Sequence, residues 1–179
     1  MGNVNLVMKD FGLDLGFTKT LISGKDFIIL EADNKNKVRK DIDLAKKKGV
    51  LVIVNVKDED TLRYLIEKTK VDIILGIEKI NPKDNVHFVR GGLDQIVCKL
   101  AVKHEKIIGF SFYDILKSKP GFERAKLLNR IRFNLKLCKK FGVKIYFGNF
   151  SKSAMQMRAP KELRAILKVL NCTKNALEI

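Results

Sequence analysis

Residues able to do chemistry are few and scattered along this chain. Glu31, Asp33 and Glu78 fall at the ends of apolar runs, where parallel α/β folds place their active sites. Together they could hold a divalent cation for phosphodiester hydrolysis. The histidines are His87 and His104, and neither stands in zinc-ligand spacing or in a motif with Ser111, Ser151 or Ser153. The stretch DFGLDLGF after the first apolar run has neither the G-x-G-x-x-G nor the Walker spacing of a phosphate loop. Anion binding is a second chemistry to weigh. In VHFVRGGLDQIVCKLAVK, residues 86–103, the glycine pair sets His87 and Arg90 at the entrance of a helix, where either free N–H groups favour a phosphate or the loop simply caps the helix.

The elements that would position these residues follow from hydrophobic periodicity. Short β-branched runs at 4–8, 26–32, 50–56, 71–77, 106–112 and 143–149 are apolar on both faces, as strands of a helix-covered parallel sheet must be. The first four begin 21 to 24 residues apart, the length of a strand, loop, helix and loop. Val38, Ile42 and Ala45 form one helical stripe, and Leu62, Leu65 and Ile66 another. Leu93, Ile96, Val97, Leu100 and Ala101 predict a buried face for a helix over 93–104. Later units carry extra loop, including YDILKSKPG, and a last helix begins near Pro160. Six strands admit a (β/α) barrel, incomplete or distorted, or an open doubly wound sheet. At 179 residues, one domain over 1–179 is expected.

Composition narrows the partner. Lys and Arg number 36 against 20 Asp and Glu, a net charge of +16, which suits a polyanion. With 8% aromatic residues and no Trp, contact with a phosphate backbone or folded RNA fits better than broad single-strand stacking. Cys98, Cys138 and Cys172 are widely spaced among apolar neighbours and read as reduced packing residues. No run is long enough to span a membrane, and the expected setting is soluble and cytoplasmic.

The densest charge lies in FERAKLLNRIRFNLKLCKKFG, residues 122–142. Projected at 100° per residue, Leu127, Leu128, Ile131, Leu135 and Cys138 form a core stripe. Lys126, Arg130, Arg132, Lys136, Lys139 and Lys140 occupy the outer arc, with Phe133 and Leu137 set among them. That apolar pair needs a cover, either from this chain or from a partner surface.

The segments HFVRGGLDQIV, RAKLLNRIRFN, KKFGVKIYF and MRAPKELRAIL, spread over residues 87–169, resemble the archaeal and eukaryotic ribonuclease P protein family known as component 3. The resemblance implies a TIM-barrel-like fold of the PHP type, without that group's metal set. It also implies a subunit of the ribonucleoprotein that removes 5′ leaders from precursor tRNA. The RNA performs the hydrolysis and carries the magnesium, so this chain would supply no catalytic residue and bind no cofactor. Implied partners are ribonuclease P RNA and ribonuclease P protein component 2, with precursor tRNA contacted indirectly. Basic residues carried over for RNA binding are Arg90, Arg124, Lys126, Arg130, Arg132 and Arg158. Departures from the family pattern are Ala159 in place of a serine, Asp94 in place of an asparagine, and GNFSKSA in place of a small Ser-Ser-Gly-Ala turn. Two alternatives stay open: a freestanding phosphoesterase using Glu31, Asp33 and Glu78, and a general RNA-binding scaffold.

Overall fold

A computed structural model describes residues 3–81, 83–84 and 89–172. The expected apolar runs form parallel strands: β1 (Val4–Val7), β3 (Phe27–Glu31), β4 (Leu51–Asn55), β5 (Ile73–Leu75), β6 (Ile107–Ser111) and β7 (Lys144–Gly148). An additional strand, β2 (Lys19–Ile22), pairs with β1. Residues between β1 and β2 were expected to supply a helix, and two Asp-x-Gly turns stand there instead. Asp10 Oδ1 accepts from Gly12 N at 2.9 Å and Asp14 Oδ1 from Gly16 N at 2.8 Å. Such side-chain-to-backbone bonds favour turns over helix.

Strands β3 to β7 make one five-stranded sheet in chain order. A doubly wound sheet reverses its order at a switch point, so the open doubly wound alternative is excluded for these strands. One face of the sheet packs against α1 (Lys35–Lys47), α2 (Glu59–Lys68), α3 (Gln95–Lys103), α5 (Phe122–Phe141) and α6 (Pro160–Val169). From the other face, Phe27, Ile53, Ile73, Leu75 and Tyr146 join Leu6 of β1 in a second apolar cluster. Gly109 leaves room there, since a Cβ would stand 2.5 Å from Leu75 and 2.6 Å from Ile73. Burial pushes the Tyr146 phenol well above its usual range, so it stays a donor, to Val4 O at 3.1 Å.

The two sheets are tied by backbone bonds. Phe150 N donates to Leu6 O at 2.9 Å, and Met8 N to Ser151 O at 3.2 Å. On the opposite flank, Ser23 after β2 bridges to Phe27 of β3. The loop expected at YDILKSKPG begins with α4 (Phe112–Lys117), whose N-cap Ser111 accepts from Asp114 N.

The helices begin where polar caps stand. Asn34, Asp58 and Asp94 each accept N–H bonds at the starts of α1, α2 and α3. Ala159 has no capping oxygen, and Glu162 instead accepts from Ala159 N at 2.7 Å. The inward stripes of α1 and α2 are buried as expected. In α3 the expectation fails at Ile96, which is 59% exposed, while Val97, Cys98 and Ala101 carry the burial. Cys98, Cys138 and Cys172 are buried, and no disulfide joins them.

Candidate nucleic-acid interface

Helix α5 organises the site. Gly121 and Gly142 flank it at φ +86° and +75°, conformations that glycine adopts without strain, and 20 residues run between them. Ile131, Leu135 and Cys138 are buried, with Leu127 and Leu128 packed partly against the same core. On one flank a polar ridge is also buried, because the segment after β5 lies over it. Arg130 Nε donates to Asp84 Oδ1 at 2.9 Å, and its Nη1 donates to the carbonyls of Glu78 and Asn81. One turn later, Asn134 Nδ2 donates to Gly91 O at 2.6 Å.

Arg130, expected on the outer arc for RNA, is therefore a correction. It is 5% exposed and its guanidinium is engaged inside the protein. Burial opposes ionisation of Asp84, but the Arg130 guanidinium and the Arg90 N–H outweigh it and hold that carboxyl below its usual range. The same clamp explains the glycine pair. A Cβ on Gly91 would lie 2.4 Å from Asn134 Oδ1, and one on Gly92, at φ +89°, would lie 2.1 Å from Ile77 O.

Arg124 and Arg158 are half-buried and hold loops. Arg124 donates to Ser118 Oγ and to the carbonyls of Leu116 and Ser118, tying the end of α4 to α5. Arg158 donates to the carbonyls of Met155 and Met157, and its guanidinium lies 5.6 Å from the Phe112 ring centre. Asn149 locks this turn: it accepts from Arg158 N and donates to Arg158 O and to Asn5. No motif signalled it, since its role depends on β1 lying beside β7. Asp94 caps α3 through Val97 N and pairs with Arg63, so its charge is spent on the helix.

Arg132, Lys136, Lys139 and Lys140 remain exposed on α5. Arg132, Lys136 and Lys139 border a groove of about 430 Å³ with Val89, Asn129 and Asn171. Arg90 is exposed nearby. Lys126 is half-buried and lines a separate cleft beside Glu78. Phe133 and Leu137 are half-buried and line a groove of about 340 Å³ together with Val89, Leu93 and Val97. Leu137 packs partly against the main core, so this chain covers the pair in part. His87 lies outside the described residues.

The metal alternative finds no assembled site. Glu31 accepts from Asn55 Nδ2, and Asp33 pairs with Lys57. Among the described residues, no group of three or more His, Cys, Asp or Glu side chains is placed to hold a metal ion. Glu78 is isolated differently: it is 2% exposed, and burial pushes its carboxyl up to about 7, against the pull of its own N–H, Lys79 and Arg130.

Fold and site together define a basic parallel α/β protein that turns the cationic face of one long helix outward. Comparison with known proteins attaches this class to particular relatives. The chain is 28% identical over 141 residues to the Ribonuclease P protein component 3 of Methanococcus maripaludis, covering 79% of this chain and 57% of that protein. It is 35% identical over 108 residues to the protein of the same name in Methanocaldococcus jannaschii, covering 60% and 43%. The chain thus spans about half the length of these curated relatives. A chain of the cryo-EM structure of archaeal ribonuclease P with mature tRNA shares the fold at a TM-score of 0.75 and 22% identity, covering 95% of this chain and 74% of that one. A Xaa-Pro dipeptidase with bound methionine superposes at 0.55, with 15% identity and coverage of 83% and 39%. No protein-family model matches the chain.

Proposed function

We propose that this chain is a non-catalytic protein subunit of a ribonuclease P ribonucleoprotein, binding the RNA that removes 5′ leaders from precursor tRNA. The observation that carries this reading is its similarity over 141 residues to archaeal proteins named Ribonuclease P protein component 3. The net charge of +16 and the outward cations of α5 supply the physical means. Arg132, Lys136, Lys139 and Lys140, with Arg90 beside them, neutralise RNA phosphates and release condensed counterions. In this reading the RNA holds the catalytic magnesium and the chain binds no cofactor of its own. Component 2 is its protein partner, precursor tRNA is met through the assembly, and the complex works in the cytoplasm. Among the described residues, no helix is long and apolar enough to cross a membrane.

The fold that presents these cations is read as one barrel-like domain of the PHP type over 1–179. Supporting closure are the Leu6–Phe150 and Met8–Ser151 backbone bonds on one flank, the Ser23–Phe27 bridge on the other, and the apolar cluster shared by β1, β3, β4, β5 and β7. Binding of the chain to ribonuclease P RNA, measured from about 50 to about 200 mM salt in roughly even steps, tests the functional reading. Affinity should fall steeply, by about 10³ for six phosphate contacts. A salt-insensitive affinity would contradict it.

A further inference from the structure

A second cleft, of about 670 Å³, opens where β5 and β6 end, between the turn Ile77–Lys79, α4 and the first turns of α5. That volume suits a small ligand, and its lining is divided by charge. Lys117 and Lys119 are exposed at one side and have no ion-pair partner among the described residues. Inside, Lys79 and Asp114 are spent on each other at 2.8 Å. Glu78 also lines the cleft, and its buried Oε2 has no hydrogen-bond partner. Burying a carboxyl oxygen without a donor is costly, and a ligand carrying N–H groups would supply what it lacks. A bare phosphate would instead meet the carboxyls of Glu78, Asp114 and Glu123.

Phe122 adds a third feature. It is 77% exposed, and it stands on the same i, i+4 ridge of α5 as Lys126 and Arg130, both of which line the cleft. An exposed aromatic ring beside lysines offers a stacking face to an unpaired base.

We infer that this cleft binds one unpaired nucleotide of an RNA strand, with its phosphate at Lys117 and Lys119 and the Watson–Crick edge of its base against Glu78. Guanine fits best, because its N1–H and 2-amino group present two adjacent donors to one carboxylate. The inference deepens the RNA-binding reading and rests on it, but its site is separate from the Arg132 face.

Titrating the full chain with 5′-GMP, 5′-IMP, 5′-AMP and inorganic phosphate, followed by amide NMR, tests it. GMP should shift the resonances of residues 77–81 and 114–119 and bind about tenfold more tightly than IMP, which lacks the 2-amino donor. Glu78→Gln should erase that preference with the amide spectrum otherwise kept. The surface pair Lys117→Ala and Lys119→Ala should weaken all three nucleotides alike. Equal shifts from phosphate and GMP, or none from either, would overturn the cleft assignment. In that event, salt-sensitive RNA binding that Arg132→Ala weakens would leave the subunit reading standing. GMP binding kept while RNA binding is absent would remove the subunit reading instead.

Discussion

Replacing Glu78 with glutamine should make the protein more stable at neutral pH and flatten part of its pH dependence. The side chain is 2% exposed and its carboxyl is raised from an ordinary 4.5 to about 7. Burial is the main cause, the Asp114 charge adds to it, and Lys79 and Arg130 work against it. Between those two values the unfolded chain has lost a proton that the folded protein still holds, so stability must fall as pH rises through this window. At about 1.4 kcal/mol per pH unit the loss approaches about 3 kcal/mol by pH 8. Asp58 and Asp84 are lowered rather than raised, so their contributions are lost below about pH 4, outside the window. Urea denaturation of both proteins at pH 5 and pH 8 is the assay. The wild-type unfolding free energy should drop relative to Glu78→Gln by about 2.5 kcal/mol between the two conditions. Parallel behaviour of the two proteins would refute the claim that a buried carboxyl with one unpartnered oxygen titrates near neutrality.

Other outcomes follow from the same geometry. Ala159→Ser places a hydroxyl at the uncapped start of α6, where the backbone is already extended at φ −67° and ψ 159°; denaturant midpoints should report a gain of about 1 kcal/mol. Gly92→Ala forces a Cβ to 2.1 Å from Ile77 O at φ +89° and should cost about 3 kcal/mol or more in thermal or urea unfolding. Exchanging Arg132, Lys136 and Lys139 together for alanine should leave the fold unchanged by circular dichroism. The plot of log affinity for RNA against log salt should flatten by about two to three.

Much of the sheet was legible because strands buried on both faces must be continuous apolar runs, and 27–31, 51–55 and 144–148 sit inside the runs expected for them. Strand β2 was not, since Lys19, Thr20, Leu21 and Ile22 look ordinary until β1 offers them a pairing edge. Nor could periodicity reveal the fate of Arg130. A helical projection knows the stripe facing the sheet, but the cover over this flank comes from the segment carrying Glu78, Asn81 and Asp84, distant in sequence. The matched arginines therefore divide by environment: Arg130 is internal, Arg124 and Arg158 brace turns, and Arg90 and Arg132 stay on the surface. Asn134 escaped notice for the same reason, since its partner is the Gly91 carbonyl. The cleft of Glu78, Lys117 and Lys119 was hidden because YDILKSKPG reads as loop, and only the packing of α4 beside α5 gives it walls.

In the proposed function this chain works through RNA rather than by chemistry of its own. Precursor tRNA cleavage by ribonuclease P RNA at limiting magnesium, measured with and without this chain and with component 2 added, tests that most directly. The chain should raise the cleavage rate in the mixture containing RNA and component 2, and should cleave nothing when RNA is left out. Unchanged cleavage in every mixture, or hydrolysis by the chain alone, would contradict it.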